Sequence, residues 1–212
     1  MKTALSNKYA ELGKQFLKKV DLLWSELEKS SKEDHEVINQ TFPDVLIMDG
    51  SYLHLHRADE IALGDESYFY TQSFIDGTVN REFVSDVVIP RDTEETFCKY
   101  VWQVYLLSHA NAVFPCFWHG GYGQRTFIFS EDDINTIDHL KNRDWTVIAS
   151  LEELMPNVYV PCENTCRVVC HYWNECEGMV RETYTYTLQG ALIVQLEKQK
   201  EVLYPYRCGI WI

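Results

Sequence analysis

The chain has 212 residues, 46% of them hydrophobic and 14% aromatic, enough apolar material for a sizeable core and too much for disorder of the whole chain. With 32 acidic against 19 basic side chains, its formal net charge is −13. That balance repels phosphate backbones and anionic lipid, and it attracts basic partners.

The acids are unevenly spread. Residues 35–100 carry four basic and thirteen acidic side chains, and residues 131–177 carry three and ten. Elsewhere the two signs nearly balance. Lys8, Glu11 and Lys14 interrupt any apolar stretch after Lys2, so no signal peptide is expected. No run of 18 apolar residues offers a membrane-spanning helix. Seven cysteines, an odd number, fit a reduced cytoplasmic setting with buried thiols rather than a disulfide framework.

In chain order, Leu5, Tyr9, Leu12, Phe16, Val20, Leu23 and Leu27 recur at steps of three and four and predict an amphipathic helix. Pro43 ends any helical continuation. The apolar run Val45–Met48 and the segment Tyr52–His56 read as strands. Tyr68–Ile75, the turn pair Asp76-Gly77 and the alternating run Val79–Ile89 predict a hairpin. Asp92 to Glu95 places acids at a helix start. The helix that follows, Phe97–His109, is apolar nearly all round and is expected to be buried.

Val113–Trp118 is a strand candidate weakened by Pro115, and Gly120–Gly123 reads as a loop. Arg125–Phe129 reads as a strand, and Ser130 as the cap of a short helix to about Lys141. Trp145–Ala149 is a predicted strand, and Ser150 caps a single helical turn. Val158–Val160, Arg167–Trp173, Val180–Leu188, Ala191–Leu196 and Val202–Tyr206 complete the strands. Hairpin-like runs without β-α-β alternation predict an α+β fold with a largely antiparallel sheet, an N-terminal amphipathic helix and one buried central helix. We expect one domain over residues 1–212, with residues 1–40 as a helical segment packed on it.

Four groups of side chains invite chemistry. Cys162, Cys166, Cys170 and His171 have the donor types of a zinc site. However, Cys166 and Cys170 alternate with Val168 on one strand face, and His171 falls on the other, a pattern of core thiols. Cys116 and His119 precede a glycine-rich loop, but closeness in sequence does not make a nucleophile and its base. His54 and His56 share a strand face, as two metal ligands would. These four, His54, His56, Cys116 and His119, are the residues a cleft enzyme of hydrolase type would use. The carboxylate pairs Asp59-Glu60, Asp65-Glu66 and Glu94-Glu95 sit in the first acidic block.

No cofactor and no structural metal are expected, and neither nucleic acid nor membrane is an expected partner. The profile is that of an acidic cytoplasmic module that sequesters a basic protein, in the manner of a bacterial immunity protein or an antitoxin neutralising a toxin. Asp59, Glu60, Asp65, Glu66, Glu94 and Glu95 would steer association, with Tyr68 and Tyr70 as aromatic anchors. The alternatives are the hydrolase-like enzyme and a subunit of a larger assembly.

Overall fold

A computed structural model describes residues 2–27, 40, 46–47, 51–56, 68–75, 78–82, 87–88, 93–109, 114–115, 122–123, 125–140, 144, 146, 148–174, 177–190 and 192–206. Among the described residues the helices are α1 (Lys2–Leu27), α2 (Glu94–His109), α3 (Glu131–Asn135) and α4 (Leu151–Leu154). The strands are β1 (Leu46–Ile47), β2 (Ser51–His56), β3 (Tyr68–Ile75), β4 (Thr78–Glu82), β5 (Val87–Val88) and β6 (Phe114–Pro115). They continue with β7 (Tyr122–Gly123), β8 (Thr126–Phe127), β9 (Asn157–Cys162), β10 (Thr165–Asn174), β11 (Gly178–Gln189) and β12 (Leu192–Pro205).

Every described strand pair is antiparallel. The main sheet runs β1-β5-β12-β11-β10-β8, with β9 pairing the first half of β10 and β8 its second half. β2, β3 and β4 form a second sheet, and β6 and β7 a two-stranded ribbon. The fold is α+β with a largely antiparallel sheet.

The centre of the main sheet is a meander of β9, β10, β11 and β12. Its tight connections use residues suited to positive φ: Asn164 (φ 59) between β9 and β10, and Gly178 (φ 98) at the start of β11. At Gly178 a side chain is excluded twice over, since a Cβ would stand 2.0 Å from the Tyr204 carbonyl oxygen.

Period-2 alternation gives this sheet two faces. Cys166, Val168, Cys170 and Tyr172 of β10 join Val180, Tyr184 and Tyr186 of β11 in the larger core, which α1 and α2 cover. The apolar α2 supplies Phe97, Val101, Trp102, Tyr105 and Leu106, and α1 supplies Tyr9, Ala10 and Phe16. α1 approaches closely because Gly13 faces Phe129 and Trp102, where a Cβ would already be 2.9 Å from the Phe129 ring. Trp102 stacks on Tyr105 at 5.6 Å and donates its ring N–H to the Tyr9 carbonyl at 3.0 Å. The buried-helix reading holds over Phe97–Leu106, the part whose side chains are described. On the opposite face, Trp173 and Met179 meet Ile134, Ile137, Leu140 and Leu154 in a smaller second core under α3 and α4. That core covers only one end of the outer face.

Several sequence expectations are corrected. Val79–Ile89 is not one strand: Thr78–Glu82 belongs to the second sheet, and Val87–Val88 crosses to the main sheet to pair β1 and β12. Trp145–Ala149 forms no described strand; Asp144 instead accepts from the Thr146 N–H at 3.2 Å and from its hydroxyl, a local turn that outcompetes the ladder. Tyr122–Gly123, read as part of a loop, pairs with Phe114–Pro115.

Ser130 occupies the N-cap of α3, but its side chain does not cap. Asp133 reaches back, accepting from the Phe129 N–H and the Ser130 hydroxyl, both at 2.9 Å. Ser150, by contrast, forms a full capping box with Glu153, as its spacing predicts. Finally, the two expected terminal strands are one, because Glu197–Glu201 continues the ladder. Register shifts at Leu196 and Leu203 mark two β-bulges in it.

Candidate functional site

Beyond the second core, the outer face of the β9–β12 meander is open. β10 points Arg167, Val169 and His171 outward, β11 points Arg181 and Thr183, and β12 points Gln199 and Glu201, as the register requires. Two adjoining depressions share Val169 and Arg181 as their common wall. The first, about 390 Å³, is bordered by Tyr159, Arg167, Thr183, Gln199 and Glu201. The second, about 520 Å³, lies against α4 and is bordered by Glu152, Glu153, Asn157, His171 and Leu203. Volumes of this size suit an inserted side chain or a small ligand.

The chemistry of this face is mixed. Arg181 and Glu201 form a cross-strand ion pair on the surface. Glu153 is held below the usual carboxylate range by its hydrogen bonds with the Ser150 backbone and hydroxyl. His171 is 3% exposed, and its Nδ1 has no hydrogen-bond partner. Burial, with Arg181 nearby, lowers its pKa to about 4 against the pull of a hydrogen bond with the Leu154 backbone. The ring is therefore neutral at physiological pH, a hydrogen-bond acceptor rather than a cation.

The inner face carries a charge cluster that the sequence reading missed. Glu182 has the inward parity of Val180 and Tyr184 and is fully buried. Its carboxylate meets Arg125 Nη1 at 3.1 Å and Lys198 Nζ at 3.5 Å. The Tyr172 hydroxyl donates to it at 3.2 Å and the Tyr105 hydroxyl at 3.4 Å. Arg125 also lies over the Tyr172 ring at 4.5 Å. Burial alone would lower the Arg125 pKa, but Glu182 reverses that and holds it up. Burial raises the pKa of all four surrounding phenols, Tyr105, Tyr172, Tyr184 and Tyr186, which keeps them protonated. Within the cluster Glu182 is neutralised by Arg125 and Lys198 and hydrogen-bonded by two phenols, and neither described depression is lined by it. The strand alternation around Glu182 was the available signal for an inward charge.

The structure separates the cysteine set. Cys166 and Cys170 point into the main core, His171 points to the outer face, and Cys162 is exposed at the end of β9. Among the described residues, no group of three or more His, Cys, Asp or Glu side chains is placed to hold a metal. No family model, curated protein or solved structure matches this chain.

Of the other candidates, His54 and His56 lie on β2 opposite Tyr70 and Tyr68 of β3. The side chains of those four lie outside the described residues, as do Cys116, His119, Asp59, Glu60, Asp65 and Glu66 altogether. Glu94 and Glu95 are exposed in the first turn of α2. Glu95 pairs with Lys8 of α1, which lowers its pKa and partly neutralises that end of the block.

Proposed function

We propose that this chain is a protein-binding module that sequesters a basic protein, with the open outer face of the β9–β12 meander as its recognition surface. The observation that carries this reading is the contrast between the faces: one is sealed by α1 and α2, while the other leaves a polar, ridged surface with two adjoining depressions. The net charge of −13 supplies the steering. Exposed acids at the margin of the face, Glu152 and Glu153 of α4 and Glu197 of β12, extend the field towards an incoming cationic surface. Tyr159, 36% exposed beside the first depression, supplies an aromatic contact of the kind that anchors interfaces. In this reading the module acts in the manner of an immunity protein or antitoxin. It needs no cofactor, and it works where such a partner is made or received, in the cytoplasm.

The test is capture from source-cell lysate on the immobilised chain at about 0.1 M and about 1 M salt, over which the Debye length falls from about 10 Å to about 3 Å. The reading expects a discrete basic protein at low salt whose association slows at high salt. Glu152→Gln with Glu153→Gln should slow association more than it hastens dissociation, since glutamine preserves the capping box. Capture of no basic protein, or association indifferent to salt and to these substitutions, would overturn it.

A further inference from the structure

Cys98 on α2 and Cys166 on β10 lie 68 residues apart in sequence, yet their sulfurs are 3.5 Å apart inside the main core. They are 4% and 0% exposed. We propose that Cys98 and Cys166 are an oxidisable dithiol, which a peroxide closes into a disulfide tying α2 to the sheet.

The contact is chemically asymmetric. The Cys166 S–H donates to the Cys98 sulfur, and the Tyr9 hydroxyl of α1 hydrogen-bonds with Cys98 as well. The Cys166 contact draws Cys98 below the ordinary thiol pKa in spite of burial, whereas that contact and burial hold Cys166 far above it. Cys98 accepts from the Cys166 S–H and is the less enclosed of the two, so in this proposal it is the attacking sulfur and Cys166 the resolving one. The Cys98 thiolate attacks one peroxide oxygen and the O–O bond breaks. Sulfenic acid forms on Cys98, and the departing hydroxide takes a proton to become water. Cys166 sulfur then attacks the Cys98 sulfur, the S–O bond breaks, and the Cys166 proton leaves with the hydroxyl as a second water. Two thiols and one hydrogen peroxide thus give one disulfide and two waters. The sulfurs must close from 3.5 Å to about 2.05 Å.

Access requires local opening. Cys98 lies one turn beyond the exposed Glu94 and Glu95, so in this proposal peroxide enters when the first turn of α2, held by Thr93 and by the Lys8–Glu95 pair, opens. Cys170 is an internal control: it shares the β10 face and complete burial, but its hydrogen bonds go to the His171 carbonyl at 3.9 Å and to the Tyr105 side chain, and to no sulfur among the described residues.

The experiment treats the native chain with hydrogen peroxide, then denatures it, alkylates it and maps peptides without reductant. The proposal expects a Cys98–Cys166 cross-linked peptide, a fall in alkylatable thiols from seven to five, and reversal by dithiothreitol. The thermal midpoint should rise by roughly 5–15 °C, because the closed loop restricts the unfolded chain. Cys166→Ala should abolish the cross-link and leave a Cys98 sulfenic acid that dimedone traps. If that variant does not fold, the map of the native chain decides alone. Cys98 and Cys166 remaining alkylatable while exposed Cys162 is oxidised, or either cysteine cross-linking to a different one, would overturn the proposal.

Discussion

The two faces of the β9–β12 meander are built from the same strands, often from adjacent residues, yet they do opposite work. On β10, Val168 is sealed under the helices while Val169 next to it floors two open depressions. The inner face holds aromatic rings, thiols and a buried charge cluster in which Arg125 and Lys198 neutralise Glu182. The outer face holds cross-strand polar pairs of the kind that contribute only tenths of a kcal/mol each. The inner face therefore stabilises the fold, and the outer face is the one that the proposed recognition would use. Mutations should divide by the parity of the residue rather than by its position along the strand.

The largest effects belong to the inner face. Trp102→Ala should cost about 3–5 kcal/mol, because it removes a fully buried ring, its stacking on Tyr105 and its hydrogen bond to the Tyr9 carbonyl. Chemical denaturation checks this, and a loss below about 1 kcal/mol would mean that α2 is not sealed against the sheet. Arg125→Leu should cost a comparable 3–5 kcal/mol or so, since it strands the Glu182 carboxylate in the core. Adding Glu182→Gln should recover much of that loss, and a double variant no more stable than Arg125→Leu would show that the ion pair is not the source of the cost.

An intermediate effect sits at the boundary between the faces. His171 has a folded-state pKa of about 4 against an ordinary 6.5, so the unfolded chain takes up its proton first as pH falls. The stability this group contributes is complete above about pH 6.5 and is lost progressively down to about pH 4, a total of roughly 3 kcal/mol. Denaturation midpoints for the native chain and for His171→Gln across that window measure it. The native chain should lose stability more steeply, and parallel curves would contradict the burial of the ring.

Much of this division was legible in the sequence. The alternation of Cys166, Val168 and Cys170 against Arg167, Val169 and His171 assigned both faces of β10, and the all-round apolar character of Phe97–His109 identified the helix that seals one of them. Parity does not name partners, however. The contact between Cys98 and Cys166, and that between Arg125 and Glu182, join elements far apart in sequence, and no local pattern encodes either. Trp145–Ala149 has the composition of a strand, but Asp144 accepts from the Thr146 N–H and hydroxyl, and Thr146, Ile148 and Ala149 lie outside any strand. The charged run Glu197–Glu201 looked like a break between strands. It continues β12 because its side chains alternate between Arg181 on one face and Glu182 on the other.

The smallest stability effects, and the most telling functional ones, belong to the outer face. Thr183→Arg and Gln199→Arg place two cations on its open part, where surface substitutions change stability by only about 0.5 kcal/mol each. The direct test of the account is partner capture by this double variant beside the native chain, at equal folded concentration and low salt. We predict that the variant keeps its denaturation midpoint and loses capture of the basic protein at least tenfold, because like charges now meet across the interface. Capture equal to that of the native chain would place recognition elsewhere and contradict the assignment of this face.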